Sequence, residues 1–340
     1  MRRTSPSRPL LGLATLAISA LALAGCSSTT AEPAASGNAD FAPVVIEHAL
    51  GTATITAPAQ RIVTLGQGSA ETAIALGTIP VGMESYAWGS DDTGYLPWVH
   101  EAVTDAHGTL PKTFTGSSEL DIEAIADLEP DLILAPWSGV TQEQYDVLEK
   151  IAPTVAYPEQ PWTITWTDQI TTIGEAMGKK EEASGLITTI NDTLASAKRP
   201  EYAGVSFSYI YNTGPGTLGV FFPGEQRVAM ASALGLTVDP MVNDLPETEG
   251  TDSALIGLEN ADKLANSDLI FTFYSDAANR AEIEAQPLYA AIPAVARGSV
   301  VAPTDQSFVT ASSMINPLTV PWALERYVPI IDGAVATLGK

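Results

Sequence analysis

The sequence is short of cysteine, histidine and basic side chains. It contains one cysteine, Cys26, and three histidines in 340 residues, so it has no internal disulfide bond and too few ligands for a centre built on Cys and His. Its 16 Lys and Arg residues are outnumbered by 40 Asp and Glu residues, which argues against nucleic acid as a partner. Beyond the N-terminal region there is no apolar run of about 18 residues, so no transmembrane helix is predicted there.

The N-terminal region has the features of an export signal. A basic start precedes an apolar run from about Leu10 to Ala24, which is too short for a stable transmembrane helix. Leu23-Ala24-Gly25-Cys26 resembles the bacterial lipobox, in which lipid is attached to the cysteine thiol before cleavage. Residues 1–25 are therefore predicted to be a lipoprotein signal peptide, with lipid on Cys26 and the body anchored at the extracytoplasmic face of the cell membrane. The small, polar residues 26–40 are typical of a flexible tether.

Apolar strands alternate with helical patterns in both halves of the body, which predicts an α/β fold with parallel sheets. Arg61–Leu65 and Asp131–Ala135 are predicted strands of the first half, and Val205–Tyr211 begins the second. A helical run from Lys179 to about Lys198 has no strand after it and is long enough to bridge two lobes. The predicted domains are an N-terminal lobe at 41–178, an interlobe helix at 179–199 and a C-terminal lobe at 200–340.

The order of these landmarks resembles the periplasmic-type binding proteins that serve iron-siderophore, haem and cobalamin importers. The resemblance spans nearly all of Val44 to Leu338, and its most specific segment is Ile122-Glu-Ala-Ile-Ala-Asp-Leu-Glu-Pro-Asp-Leu-Ile-Leu-Ala. It implies two Rossmann-like lobes joined by one long rigid helix, the class III arrangement, with ligand in the cleft between them. The implied protein is a monomeric solute-binding component of an ABC importer. It would bind a ferric siderophore intact, without a cofactor, and deliver it to permease subunits.

Aromatic residues near predicted strand ends are the candidate ligand contacts, because loops at such ends bind ligands in α/β folds. Aromatic faces suit a bulky chelate, and an arginine can meet the negative charge of a ferric complex. For each aromatic the alternative is core packing, which is the preferred interpretation for Trp98, Trp162, Trp166 and Trp322. Arg227 is alternatively a solvated helix residue. The predicted ligand-binding residues are Tyr86, Trp88, Trp137, Tyr209, Tyr211, Phe222, Arg227, Tyr274 and Phe308, with Phe221 beside Phe222 at the same strand end.

Two glutamates are candidates for contact with the permease. The resemblance implies that one glutamate on each lobe pairs with an arginine pocket of a permease subunit, and the matching positions are Glu123 and Glu259. Such charges would set register and association rate more than affinity. The alternative is that each is an acidic first-turn residue favoured by the helix dipole.

Other motifs do not indicate a catalytic or nucleotide site. Residues 214–219 satisfy GxGxxG, but Val220-Phe-Phe-Pro follows where a helix is required, so a loop or hairpin at the cleft is predicted instead. No nucleophile motif is present, and the chain is predicted not to be an enzyme. The alternatives left open are haem, cobalamin or another chelate as ligand, and a bare ferric ion on Asp91 and Asp92 with a tyrosine. A structural or adhesive surface lipoprotein and a surface hydrolase also remain possible.

Overall fold

A computed structural model describes residues 41–116, 119–249, 251–303 and 305–339. The predicted signal peptide, the tether and Cys26 lie outside these described residues. Within the described ranges, no helix is long and apolar enough to cross a membrane.

The first lobe is built on a parallel five-stranded sheet in the order β5-β4-β3-β6-β7. β3, β4 and β6 are buried along their whole length, as expected for a parallel sheet covered by helices on both faces. A separate antiparallel hairpin precedes the sheet. The strands are β1 (Val44–His48) and β2 (Gly51–Ile55) in the hairpin, then β3 (Ile62–Thr64), β4 (Gly82–Glu84), β5 (Lys112–Phe114), β6 (Leu132–Leu134) and β7 (Thr154–Val155).

Polar residues cap several helices of this lobe, because their side chains accept the unpaired N–H groups of the first turn. Asp121 accepts from the Ala124 amide, and Thr165 accepts from the Asp168 amide. The helices of the first lobe, and the one that leads out of it, are α1 (Ser69–Ala75), α2 (Pro97–Asp105), α3 (Ile122–Asp127), α4 (Gln142–Leu148), α5 (Trp166–Ala176) and α6 (Lys180–Ser196).

The second lobe is built on a mixed six-stranded sheet in the order β11-β9-β8-β12-β13, with β10 pairing beside β8. β8 runs parallel to β10 and β12 but antiparallel to β9. The β8–β9 hairpin contains the GxGxxG segment, which confirms the predicted hairpin but not its predicted place at the cleft, because residues 214–219 do not line the pocket between the lobes. The strands are β8 (Ser206–Tyr211), β9 (Gly219–Phe221), β10 (Thr237–Val238), β11 (Ser253–Leu255), β12 (Leu269–Phe271) and β13 (Val300–Val301).

Helices cover this second sheet, and the last of them closes the described chain. The α-helices are α7 (Gln226–Ala233), α8 (Ala277–Glu284), α9 (Pro287–Ala290), α10 (Pro293–Arg297), α11 (Gln306–Ala311) and α12 (Thr319–Ala336). The 3₁₀ helices are Pro200–Tyr202, Pro240–Asp244 and Leu258–Asn266.

Helix α6 connects the two lobes and packs against α5, α7 and α12. Ala183, Ile190 and Leu194 bury its apolar stripe in one core cluster with residues of both lobes. Its 17 residues span about 26 Å at 1.5 Å per residue. The α/β fold is thus confirmed, with a parallel sheet in the first lobe and a mixed sheet in the second, and the long helix is present. The lobe boundaries at 178 and 200 stay predictions.

Candidate functional site

A cleft of about 740 Å³ opens where the loops of the first lobe face the second. In the first sheet the strand order reverses at β3, since β4 lies on one side of it and β6 on the other. Ligands of α/β sheets bind outside the carboxyl ends of the strands at such a switch point. Gln67 follows β3 and Trp137 follows β6, and both line the cleft.

Gly66 fixes how closely these two loops approach. Its φ is +76°, and a Cβ there would lie 1.6 Å from the main-chain oxygen of Trp137. No other residue fits this position without moving the Trp137 loop, because the obstructing atom is backbone. The glycine therefore sets the place of Trp137 on the cleft wall.

Four tryptophans form the first-lobe wall of the cleft, namely Trp88, Trp137, Trp162 and Trp166. The rings of Trp137 and Trp162 meet edge to face with centroids 4.7 Å apart. Trp88 and Trp162 remain 43% and 46% exposed, so large indole faces are open to a ligand.

The prediction of core packing is wrong for Trp162. Its indole lies over Gly139, where a Cβ would come within 2.4 Å of the ring. Trp166 packs partly against the core but also lines the cleft. Trp162 lies in the irregular segment after β7. A place after a strand was the signal that selected Trp137, but Trp162 lies further beyond its strand and no periodicity there indicates the direction of its side chain. Its φ of +67° is uncommon for a bulky residue.

Arg227 lies on the opposite wall, on the first turn of α7. Its guanidinium lies 4.8 Å from the ring centroid of Phe221 and 5.5 Å from that of Phe273. The guanidinium forms an ion pair with Glu225 at 2.5 Å, and its Nε donates to the Ser313 hydroxyl at 3.0 Å. Burial raises the pKa of the Glu225 carboxyl, and the Arg227 charge opposes that rise. The positive charge of Arg227 is therefore already balanced by the carboxylate of Glu225.

Two further acidic residues line the second-lobe side of the cleft. Glu247 and Asp252 are exposed. Burial raises the pKa of Asp252, and the nearby Glu247 charge raises it further. Among the described residues that line the cleft, Arg227 is the one basic side chain.

The lobes also touch each other beside the cleft. A Cβ at Gly89, next to Trp88, would lie 2.5 Å from the Thr310 hydroxyl of the second lobe. Trp98 and Trp322 pack edge to face across the same boundary with centroids 5.4 Å apart. Trp98 is buried and lies off the cleft, as predicted, and so does the half-buried Trp322.

Two buried carboxylates hold the loop that carries Gln67. Glu84 accepts from the Gly66 amide at 2.9 Å, and Glu71 accepts from the Gly68 amide at 3.0 Å. The Trp98 indole N–H donates to the other Glu71 oxygen at 3.0 Å. Burial raises the pKa of both carboxyl groups. Neither glutamate was predicted, since an isolated acidic residue, whether in helix α1 as Glu71 or at the end of strand β4 as Glu84, gives no signal of burial.

Of the nine predicted ligand contacts, Trp88, Trp137 and Arg227 line this cleft and six do not. Tyr209 is 1% exposed and packs among core rings, because its position on β8 directs the side chain into the core. Phe308 is buried against Tyr327. Three predicted tyrosines form hydrogen bonds within the protein through their hydroxyls: Tyr86 with Glu84, Tyr211 with Ser253 and Tyr274 with Tyr289. Phe222 packs on a core cluster of the second lobe. Phe221, beside Phe222, is the one of that pair that lines the cleft.

The two predicted docking glutamates occupy similar places on the two lobes. Glu123 is exposed in the first turn of α3, and Glu259 is exposed in the first turn of the 3₁₀ helix Leu258–Asn266. Their role in docking stays a prediction.

The described residues contain no group of three or more His, Cys, Asp and Glu side chains placed to hold a metal ion. Asp91 accepts from the amide and the hydroxyl of Thr93 in an exposed turn. Neither Asp91 nor Asp92 lines the cleft.

Comparisons with known proteins agree on one family. The sequence model of the family described as periplasmic binding protein matches residues 62–306. The ferric enterobactin-binding periplasmic protein FepB of Escherichia coli is 26% identical over 78% of this chain and 85% of its own length. The probable siderophore-binding lipoprotein YfiY of Bacillus subtilis is 34% identical, but the match spans 45% of this chain and 44% of that protein.

A solved structure shows the same fold. The structure of PiaA from Streptococcus pneumoniae in complex with ferrichrome superposes with a TM-score of 0.78. It is 29% identical in sequence and covers 86% of this chain and 99% of that one.

Proposed function

Since the chain belongs to the periplasmic binding protein family, we propose that it binds a ferric siderophore in the cleft and delivers it to the permease of an ABC importer. The related proteins that bind ferric enterobactin and ferrichrome support an iron chelate as the ligand. In this role the protein carries out no reaction of its own. It binds the chelate intact, so the iron keeps the ligands that the chelate supplies.

The tryptophan wall is the observation that carries this proposal. Four indoles on one side face Phe221 and Phe273 on the other, in a cleft of about 740 Å³. Ligand sites are typically apolar clefts of roughly 300–1,000 Å³, with a few polar groups that fix orientation. A compact chelate with an apolar surface fits such walls, and the Ser313 and Thr310 hydroxyls lie within reach of its polar atoms.

Transport requires that the loaded protein differ from the empty one. The ligand favours a closed arrangement of the lobes only by the extra contacts it makes there. Gly89 and Thr310 already bring the lobes together beside Trp88, so a closing motion would have to act on the parts of the cleft away from this contact.

We extend the proposal to the anchor. Lipid on Cys26 and the tether at 26–40 would hold the protein as a monomer near its permease. Tethering raises the effective concentration of the receptor at its partner without any new contact.

The test is a fluorescence titration of the purified full-length protein with ferric hydroxamate, catecholate and citrate complexes. A bound ferric complex would quench the cleft tryptophans. The Trp162→Ala variant should bind about tenfold or more weakly, since a buried aromatic anchor is worth about 2 kcal/mol or more.

The Trp322→Ala variant is the matched control, because Trp322 does not line the cleft. It should keep wild-type affinity once its folding has been verified by thermal melting. Absence of quenching by every ferric chelate, or quenching by haem or cobalamin alone, would contradict the proposed ligand.

A further inference from the structure

The charge of the cleft determines which chelates it can bind. The inference drawn from that charge rests on the proposed function. An anionic chelate is favoured by a cation on the wall that is free to pair with it, most often an arginine. Arg227 is already paired. Its Nη1 lies 2.5 Å from Glu225 Oε1, and its main-chain amide donates to Glu225 Oε2 at 2.8 Å. The side chains of this pair are 24% and 16% exposed, so the glutamate stays next to the arginine on the wall that the ligand meets.

The remaining charges on the cleft are negative. Glu247 and Asp252 line the second-lobe side, close enough that the charge of one raises the pKa of the other. The first-lobe wall offers Gln67 and aromatic rings, and no described residue among its lining carries a positive charge. With Arg227 and Glu225 cancelling, the cleft presents a net negative potential to its ligand.

The tryptophan wall favours the same sign of charge. The face of an indole attracts a cation through its quadrupole, and four indoles line this wall. The whole chain adds a weaker field of the same sign, with a formal net charge of −24. Such a field steers cationic ligands towards the protein and slows anionic ones.

We propose that the cleft selects ferric chelates of zero or positive net charge, the hydroxamate class, and discriminates against anionic catecholate and carboxylate chelates. In a ferric tris-hydroxamate the ligand anions balance the charge of the iron, and a pendant amine makes the complex cationic. A tris-catecholate keeps excess negative charge. That charge would face Glu247 and Asp252 with no free cation to meet it.

A matched pair of chelates isolates the charge from the shape. Ferrioxamine B carries a pendant amine, and its N-acetylated form is neutral with the same iron coordination. We expect the full-length protein to bind the cationic form about threefold to tenfold more tightly at low salt, and the gap to narrow as salt screens the field. Ferric enterobactin and ferric citrate should bind about a hundredfold more weakly than either.

The acidic residues are tested by the double variant Glu247→Gln, Asp252→Asn. It should close the gap between the cationic and neutral chelates, while Glu143→Gln, an exposed acid on α4 away from the cleft, should keep that gap. Equal or tighter binding of the anionic chelates, or an affinity gain on acetylation, would overturn the charge inference and leave the proposed function standing. Failure of every chelate to bind would overturn the proposed function and the inference with it.

Discussion

Glu71 and Glu84 are buried carboxylates with no basic partner among the described contacts. Glu71 is 2% exposed and Glu84 is 5% exposed, and each accepts one amide of the loop between β3 and α1 together with one aromatic donor, the Trp98 indole for Glu71 and the Tyr86 hydroxyl for Glu84. Burial disfavours the charged form, so the pKa of each carboxyl is raised. The free energy that these two carboxyl groups contribute by holding the loop that carries Gln67 therefore depends on pH.

We predict that Glu71→Gln changes the pH dependence of stability. The folded wild type keeps the Glu71 proton to higher pH than the unfolded chain does. The stability that this proton contributes is therefore fully present below the pKa of Glu71 in the unfolded chain, near 4.5. It is lost as pH rises through the raised pKa of Glu71 in the folded protein. The glutamine variant lacks this titration, so its free energy of unfolding should fall less with pH than that of the wild type. Urea unfolding between about pH 4 and 8 measures this difference.

At low pH both side chains are neutral, and the variant should be the less stable protein by about 1 kcal/mol, because the amide NH2 cannot accept from Gly68 or Trp98 whereas the hydroxyl oxygen of the protonated glutamate can. Glu143→Gln, an exposed acid in the first turn of α4, is the control and should follow the wild-type curve. Parallel curves for Glu71→Gln and the wild type would show that the buried carboxyl does not titrate differently on folding.

The sequence predicts the position of some cleft side chains and not of others. Trp137 follows a buried strand directly, so its position at the sheet edge followed from the pattern, and it does line the cleft. Trp162 lies several residues beyond β7, where no periodicity indicates which way an indole points, and its exposure was not predicted. The pairing of Arg227 with Glu225 depends on side-chain geometry that spacing alone does not fix.

At the scale of elements, α6 is held against α5 by a close approach of their backbones. A Cβ on Gly174 of α5 would lie 2.2 Å from the Cβ of Ala183 and 3.1 Å from the main-chain oxygen of Lys179. The small residues at this crossing are thus required for the angle at which α6 leaves the first lobe.

We predict that Gly174→Ala destabilises the protein by about 1–3 kcal/mol, since overpacking forces the two helices apart. Gly185→Ala provides the matched control on α6 itself. Nothing lies within 4 Å of a Cβ there, and alanine should stabilise the helix by about 0.5–1 kcal/mol. Denaturant unfolding measures both changes. A neutral or stabilising Gly174→Ala would show that the helices separate without cost.

Elements with a strong apolar pattern were predictable and elements without one were not. The run from Lys179 to Lys198 contains α6, observed at Lys180–Ser196, because its apolar residues recur on one face over several turns. The β1–β2 hairpin was missed because its strands lack the continuous buried apolar run of β3 and β6, and the residues of β1 are only half-buried or exposed. Helix α2 at Pro97–Asp105 was also not predicted from the sequence.

At the scale of the whole molecule, delivery needs surfaces other than the cleft. Glu123 and Glu259 are exposed at the start of helical segments that lead into β6 and β12. If they pair with arginine pockets of the permease, there would be one contact on each lobe. Whether both contacts can form at once would then depend on the distance between the lobes. Their removal should then affect transport without affecting ligand binding.

We predict that the double variant Glu123→Ala, Glu259→Ala binds ferric chelate with wild-type affinity but supports about tenfold slower uptake of labelled iron, because charges of this kind set association rate and register. Uptake is measured in cells that lack the native gene and express the variant as their only copy. Glu143→Ala removes an exposed first-turn acid from α4 at the same cost to the helix dipole, and should leave uptake unchanged. Equal uptake by the double variant and Glu143→Ala would mean that both glutamates serve only their own helices, and the permease would then have to recognise another surface.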